Sequence, residues 1–296
     1  MTRALLAAAL LAACCLAGAQ DAGRAPFALL GDAPYTQAHA NLLDGLIDEI
    51  NAEKPAFVVH LGDITGGQGP CTDEWFEARV RQFARFTAPF VLVLGDNEWT
   101  DCHRSGADPM ERLAKLRELF HSQPVRLPNF ARQWDTYPEH MRWTHSHALF
   151  VGLNVPGSNN NLGRTSEMDA EHAARMKAVL AWLDEAVAIA KASNEIETLF
   201  VMMQANPAFE ARRRPARALD GYVDLREKFE EIALTLGKPL VVAHGDTHQY
   251  KFDRPLLKAR ELLRIEVDGW PWLGWVKVRT TPDLAKPVVV ERLLNH

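Results

Sequence analysis

Acidic and amide side chains collect directly behind apolar runs at four points in this sequence. Val91 to Cys102 reads VLVLGDNEWTDC: an aliphatic run to Leu94, then Gly95, then Asp96, Asn97 and Glu98. An unbroken β-branched and aliphatic run suits a strand covered on both faces. Open α/β sheets keep their ligands beyond the carboxyl ends of such strands. The construction recurs in PFALLGDAPY, which delivers Asp32 and Tyr35, in FVVHLGDITGG, which delivers Asp63, and in PLVVAHGDTH, which delivers Asp246 and His248. One Gly-Asp after a strand is an ordinary turn; four point to a shared site lined by carboxylates. Carboxylates converging from separate strands repel one another unless cations hold them together. Asp, Asn, Gln and His are ligands of hard and borderline divalent metals. No GxSxG elbow, P-loop or GxGxxG motif occurs, so serine-hydrolase, nucleotide-binding and dinucleotide chemistry have no foothold.

The elements that must position these residues follow from hydrophobic period. Strands are expected at Phe27 to Leu30, Phe57 to Leu61 and Phe90 to Leu94, separated by helices over Thr36 to Glu53 and Trp75 to Phe86. In the first helix Leu42, Leu43, Leu46, Ile47 and Ile50 are read as one face. This β-α-β-α-β order favours a largely parallel sheet. Pro109 begins a helix with Leu113, Leu116 and Phe120 on one side, and Ser122 to Met141 reads as loop. Ala148 to Val155 reads as a strand ending in the turn PGSNNN. A helix from Ser166 to Lys191, a strand from Leu199 to Met203 that leads to Gln204-Ala205-Asn206-Pro207, a helix from Tyr222 to Leu236 and a strand from Leu240 to Ala243 come next. Leu263 to Val267, Trp275 to Val278 and Val288 to Leu293 finish the chain as strands without intervening helices, which points to a second, more antiparallel sheet.

The 296 residues, 47% hydrophobic and 24% charged, have the composition of a globular chain, read as one domain over residues 20–296. A net charge of -5 argues against a nucleic-acid surface. Residues 1–19 read as a signal peptide: Arg3, an apolar core from Ala4 to Leu16, and Ala17-Gly18-Ala19 before a cleavage at Gln20. A competing reading takes Leu11-Ala12-Ala13-Cys14 as a bacterial lipobox with a lipid anchor on Cys14. Either implies a periplasmic or secreted protein, and no later apolar run is long enough for a transmembrane helix. Cys71 and Cys102 then meet an oxidising compartment and read as a disulfide tying the Asp63 loop to the Asp96 loop.

With these motifs in order, the chain resembles the calcineurin-like metallophosphoesterases, purple acid phosphatases included. The resemblance runs from about Phe27 to the C-terminal strands. It implies a four-layer α/β/β/α sandwich with two central mixed sheets and a two-metal site. Asp32 matches the first aspartate of the family's D-x-H, but Pro34 replaces the histidine, with Tyr35 at hand as a substitute ligand. Asp63 matches the bridging aspartate. The family's GNH reads GDNE here, so Asp96 or Asn97 takes the ligand position and Asn97 stands for the acid histidine. Gln204 stands near the missing later histidine, Asp246 replaces the first histidine of GH-x-H, and His248 keeps the second. The resemblance thus implies one position with Asp32, Asp63 and His248 and another with Asp63, Asp96 or Asn97, Gln204 and Asp246. Oxygen donors in the second shift preference from zinc or iron toward manganese, magnesium or calcium.

The resemblance further implies attack of a metal-bound hydroxide on a phosphate mono- or diester of a small molecule, with one or two divalent metal ions as cofactors. The alternative is a non-catalytic descendant that binds metal or a phosphorylated ligand. Asn97, Glu98 and His244 are the candidate catalytic groups, with His60, His103, His145 and His147 as further proton donors. His60 reads more naturally as a core residue, Trp270, Trp272 and Trp275 as core, and Arg212 to Arg214 as a solvated loop.

Overall fold

The computed structural model describes residues 24–133, 136–210 and 219–295. The signal segment with Cys14 and the arginines 212–214 lie outside the described residues. Among the described residues twelve strands form two sheets. The first has the order β12-β11-β1-β2-β3, with β1 Phe27–Leu30, β2 Val58–His60, β3 Phe90–Leu92, β11 Leu273–Thr280 and β12 Val288–Asn295. The second runs β4-β5-β6-β7-β8-β10-β9, with β4 Ala131–Gln133, β5 Tyr137–His145, β6 Ala148–Gly152, β7 Thr198–Met202, β8 Leu240–His244, β9 Lys251–Asp253 and β10 Leu262–Glu266.

Alternating side chains explain the layering. Phe27 and Leu29 of β1 enter an inter-sheet core with Phe57, Val59, Phe150, Phe200 and Val241. Their neighbours Ala28 and Leu30 pack on the other side with Leu43, Leu46, Ile47 and Ile50 of α1 (Gln37–Ala52). That outer layer is completed by α2 (Asp73–Phe83) and α3 (Pro109–Leu116). On the far side, Leu149 and Val151 pack beneath α4 (Ser166–Ala192) and α5 (Val223–Thr235). The result is the expected helix–sheet–sheet–helix sandwich. Thr36 caps α1 by accepting the His39 N–H at 3.1 Å.

Several expectations change. Leu42 is 64% exposed and off the buried face of α1, which is narrower than its run of leucines implied. Part of the expected loop before Met141 is the antiparallel pair β4–β5, whose strands carry no clean alternation. The C-terminal strands build no sheet of their own. β10 pairs parallel to β8 in the second sheet, while β11 pairs antiparallel to β1 in the first. Of the three C-terminal tryptophans only Trp275 is core, at 1% exposure.

Cys71 and Cys102 are bonded, with Cα atoms 5.7 Å apart. The bridge closes a 31-residue separation between the Asp63 and Asp96 loops. Reduction is expected to cost about 3–4 kcal/mol in the chain-entropy model. Urea unfolding of reduced and oxidised protein measures this directly.

Candidate metal centre

The ends of β1, β2, β3 and β8 open at one rim, where the Gly-Asp turns meet. Glycine is required there by crowding. A Cβ on Gly62 would sit 2.6 Å from the Gly95 nitrogen, and one on Gly245 would overlap the Asp32 carboxylate. Asp32, Asp63, Asp246 and His248 all hold left-handed backbone, with φ of 50°, 60°, 78° and 58°. Such angles are uncommon outside glycine, and their clustering marks strain kept at a functional site.

Asp32, Asp63 and His248 each present a ligand atom, all within 4.8 Å of one another. His248 Nδ1 lies 2.6 Å from the Trp270 carbonyl, which only accepts, so Nδ1 carries the proton and Nε2 faces the carboxylates. Nε2 is 3.5 Å from Asp32 Oδ1. Burial works to lower the His248 pKa, but the Asp32 carboxylate outweighs it and the pKa is raised. Tyr35 completes the group, its hydroxyl 3.0 Å from Asp63 Oδ2 and 2.8 Å from His248 Nε2. Burial and the charges of Asp63 and Asp32 keep that hydroxyl protonated. Two hard oxygens, one imidazole nitrogen and a neighbouring phenol fit a divalent cation.

The second group of oxygens is not gathered in this way. Asn97 turns its backbone N–H (3.2 Å) and its Nδ2 (2.8 Å) onto the Asp63 carboxylate, acting as a donor. The Gln204 carbonyl accepts the Gly157 N–H at 2.6 Å, which leaves Nε2, a donor, buried without a partner. Asp96 Oδ2 accepts from Ser158 at 2.7 Å, and Asp246 Oδ2 accepts the Asn206 N–H at 2.8 Å. Burial and the neighbouring Asp246 charge push Asp96 well above the usual carboxylate range. Burial pushes Asp246 up to about 6, although the Asn206 N–H pulls the other way.

Glu98 and His244 have no exposed surface. Glu98 Oε1 accepts the Gly95 N–H at 2.6 Å and the Asp63 N–H at 3.3 Å, bracing two ligand turns. Burial pushes its pKa up to about 7, against those backbone donors. His244 Nδ1 bonds the Gly245 carbonyl at 2.9 Å, and burial pushes its pKa down to about 3. His60 is core, bonded to the Ala33 carbonyl at 2.6 Å.

Sequence reasoning read PGSNNN as a turn whose loop could face the site, but gave its residues no role. Ser158, Asn159, Asn160 and Asn161 hold consecutive left-handed φ of 47°, 58°, 56° and 67°, a conformation usually visited by single residues. The turn presses Gly157 between the Asp96 and Asp246 carboxylates and hands the Ser158 hydroxyl to Asp96 and Asp101, each at 2.7 Å. The asparagine run was the available signal, since asparagine tolerates this region best.

A sequence profile of the calcineurin-like phosphoesterases matches residues 25–250. The chain belongs to this family. Among solved structures it is similar to a dimetal phosphatase from Danio rerio, at 13% identity and a TM-score of 0.57, covering 91% of this chain and 96% of that one. It is similar to a purple acid phosphatase from yellow lupin (Lupinus luteus) seeds, at 12% identity and a TM-score of 0.52 over 87% of this chain and 49% of that one. A 5'-nucleotidase from Candida albicans gives 12% identity and a TM-score of 0.50 over 90% and 51%. These likenesses are of fold. No curated protein sequence matches. The family is one of metal-dependent phosphoric ester hydrolases, and among the described residues no helix is long and apolar enough to cross a membrane.

Proposed function

We propose that this phosphoesterase hydrolyses a phosphate mono- or diester of a small molecule at Asp32, Asp63 and His248, outside the cytoplasm. The convergence of those three ligand atoms within 4.8 Å carries the reading. A divalent cation there would polarise a phosphoryl oxygen and lower the pKa of a bound water. Asp32 and Asp63 supply hard oxygens and His248 a borderline nitrogen, a set that takes manganese or magnesium as well as zinc. Asn97 holds the Asp63 carboxylate in place through two hydrogen bonds. Glu98 is turned onto backbone N–H groups and His244 has no exposed surface, so neither of these two is placed to protonate the leaving group, and esters of acidic alcohols are expected to turn over fastest. Aryl phosphate mono- and diesters assayed with manganese, magnesium and calcium test the reading. Asn97 in the acid histidine's place favours a second reading, a metal- or phospholigand-binding descendant; metal binding without turnover of any ester would assign it.

Asn97 donates to Asp63, and the Gln204 side-chain oxygen is taken by the Gly157 N–H; both support one tightly held cation per chain. Elemental analysis after manganese loading and desalting is expected to give a ratio of one; a stable ratio of two overturns this. Export rests on residues 1–19, and the Cys71–Cys102 bridge suits an oxidising compartment. Mass spectrometry of the mature N-terminus separates Gln20 from a lipid-modified Cys14, and an intact Met1 would refute export.

A further inference from the structure

We propose that the cleft beside the metal centre holds a planar aromatic ring, so that the ester taken is that of a ring-bearing alcohol. This rests on the phosphoesterase reading above. The cleft has a volume of about 590 Å³ and is lined by Tyr35, Gly66, Gln68, Pro70, Trp75 and Trp270 among others. That lies within the range of small-molecule sites. It shares Tyr35 with the metal centre, so a group seated in it adjoins whatever Asp63 and His248 hold.

Its walls are aromatic and fixed. The Trp270 ring stacks near Tyr35, with centroids 6.3 Å apart and planes 15° from parallel. Gly66 lies against Tyr35, whose ring a Cβ at that position would meet at 3.4 Å, ordinary contact distance. The Trp75 indole N–H donates to the Ile64 carbonyl at 2.9 Å. The Arg79 guanidinium lies 4.4 Å from the Trp75 ring centroid, and its Nε and Nη1 are buried without partners. A cation held against an indole in this way fixes the ring plane.

Both tryptophans are tied to the ligand segments. The Trp270 N–H donates to the Asp32 carbonyl at 3.1 Å, and its own carbonyl takes His248 Nδ1. Ile64, which anchors Trp75, follows Asp63. The Trp270 backbone and the Trp75 side chain are therefore both bonded to the segments that carry the ligands. Yet the Trp270 side chain is 39% exposed at the rim. Within this cleft that open ring offers a face on which a planar group can stack. Stacking accepts any planar ring, so a nucleobase and a simple aryl group are two sources of the same chemistry.

The test uses inert phosphonates, so leaving-group reactivity does not enter. Manganese-loaded full-length protein is titrated calorimetrically with methylphosphonate, phenylphosphonate and a nucleoside phosphonate. A ring-bearing ligand is expected to bind on the order of tenfold tighter than methylphosphonate. The preference should collapse in both Trp270→Leu and Trp75→Leu, with circular dichroism confirming that each folds. The tighter of the two ring ligands identifies the source. Equal binding of all three, or a preference that survives both substitutions, overturns the aromatic cleft while the phosphoesterase reading stands. No binding of any phosphonate by a metal-loaded protein removes the phosphoesterase reading and the cleft with it.

Discussion

Asp63→Asn is expected to lower kcat/KM for an aryl phosphate on the order of 10³-fold, because several kcal/mol of charge stabilisation rest on the cation it helps hold. The same change should leave the metal-free protein at least as stable as wild type. Burial and the charges of Asp96, Asp32, Glu98 and Asp246 all disfavour an ionised Asp63, and the neutral amide removes that repulsion. Asparagine also suits the left-handed φ of 60°. Against this stands one lost acceptor, since the carboxylate takes the Tyr35 hydroxyl and two Asn97 N–H groups; that costs about 1 kcal/mol. Thermal melts with and without manganese show the sign. Wild type should gain stability on metal addition and Asp63→Asn should not. Retained turnover, or an equal gain with metal, would refute the assigned centre.

Arg175→Ala is expected to destabilise the fold by about 3–5 kcal/mol, the range for breaking a buried ion pair. Arg175 has no exposed surface. It pairs with Glu171 at 2.7 Å, donates to the Asn154 carbonyl at 3.0 Å, and holds both the side-chain and backbone oxygens of Asn160, at 2.6 and 3.0 Å. Tyr222 assists, accepting the Asn160 N–H and donating to the Pro156 carbonyl, both at 3.0 Å. Without the guanidinium the left-handed turn 158–161 has lost its main clamp, and Ser158 leaves Asp96. Activity should therefore fall with stability. Lysine at 175 should recover little, because a single ammonium cannot make the forked contacts. Urea unfolding gives the magnitude, and an Ala variant within 1 kcal/mol of wild type would show that the turn is held by other means.

The alternation of strand and helix, the four Gly-Asp turns and the Cys71–Cys102 pair were all legible in the sequence. Each depends on local period or on a strong residue preference, which short windows report faithfully. Asp32, Asp63, Asp96 and Asp246 were readable as sharing one rim because each closes a strand-like run, and parallel strands bring their carboxyl ends together; the resemblance to the phosphoesterases implied that Asp32, Asp63 and His248 form one ligand group. The sequence by itself thus determined the fold class and the identity of the candidate ligands. Tertiary structure decided which sheet each C-terminal strand joins, because strand pairing is a long-range choice that no local pattern encodes. It also decided the orientation of side chains. Asn97 and Gln204 carry an acceptor and a donor in the same amide, and only the neighbouring Asp63 carboxylate and Gly157 N–H fix which end is used. Glu98 looks like chemistry in one dimension, yet its Oε1 is taken by the Gly95 and Asp63 N–H groups and braces those two turns. Trp75 and Trp270 stand far apart in the chain and become walls of one cleft only when the ligand loops to which each is bonded converge on Tyr35.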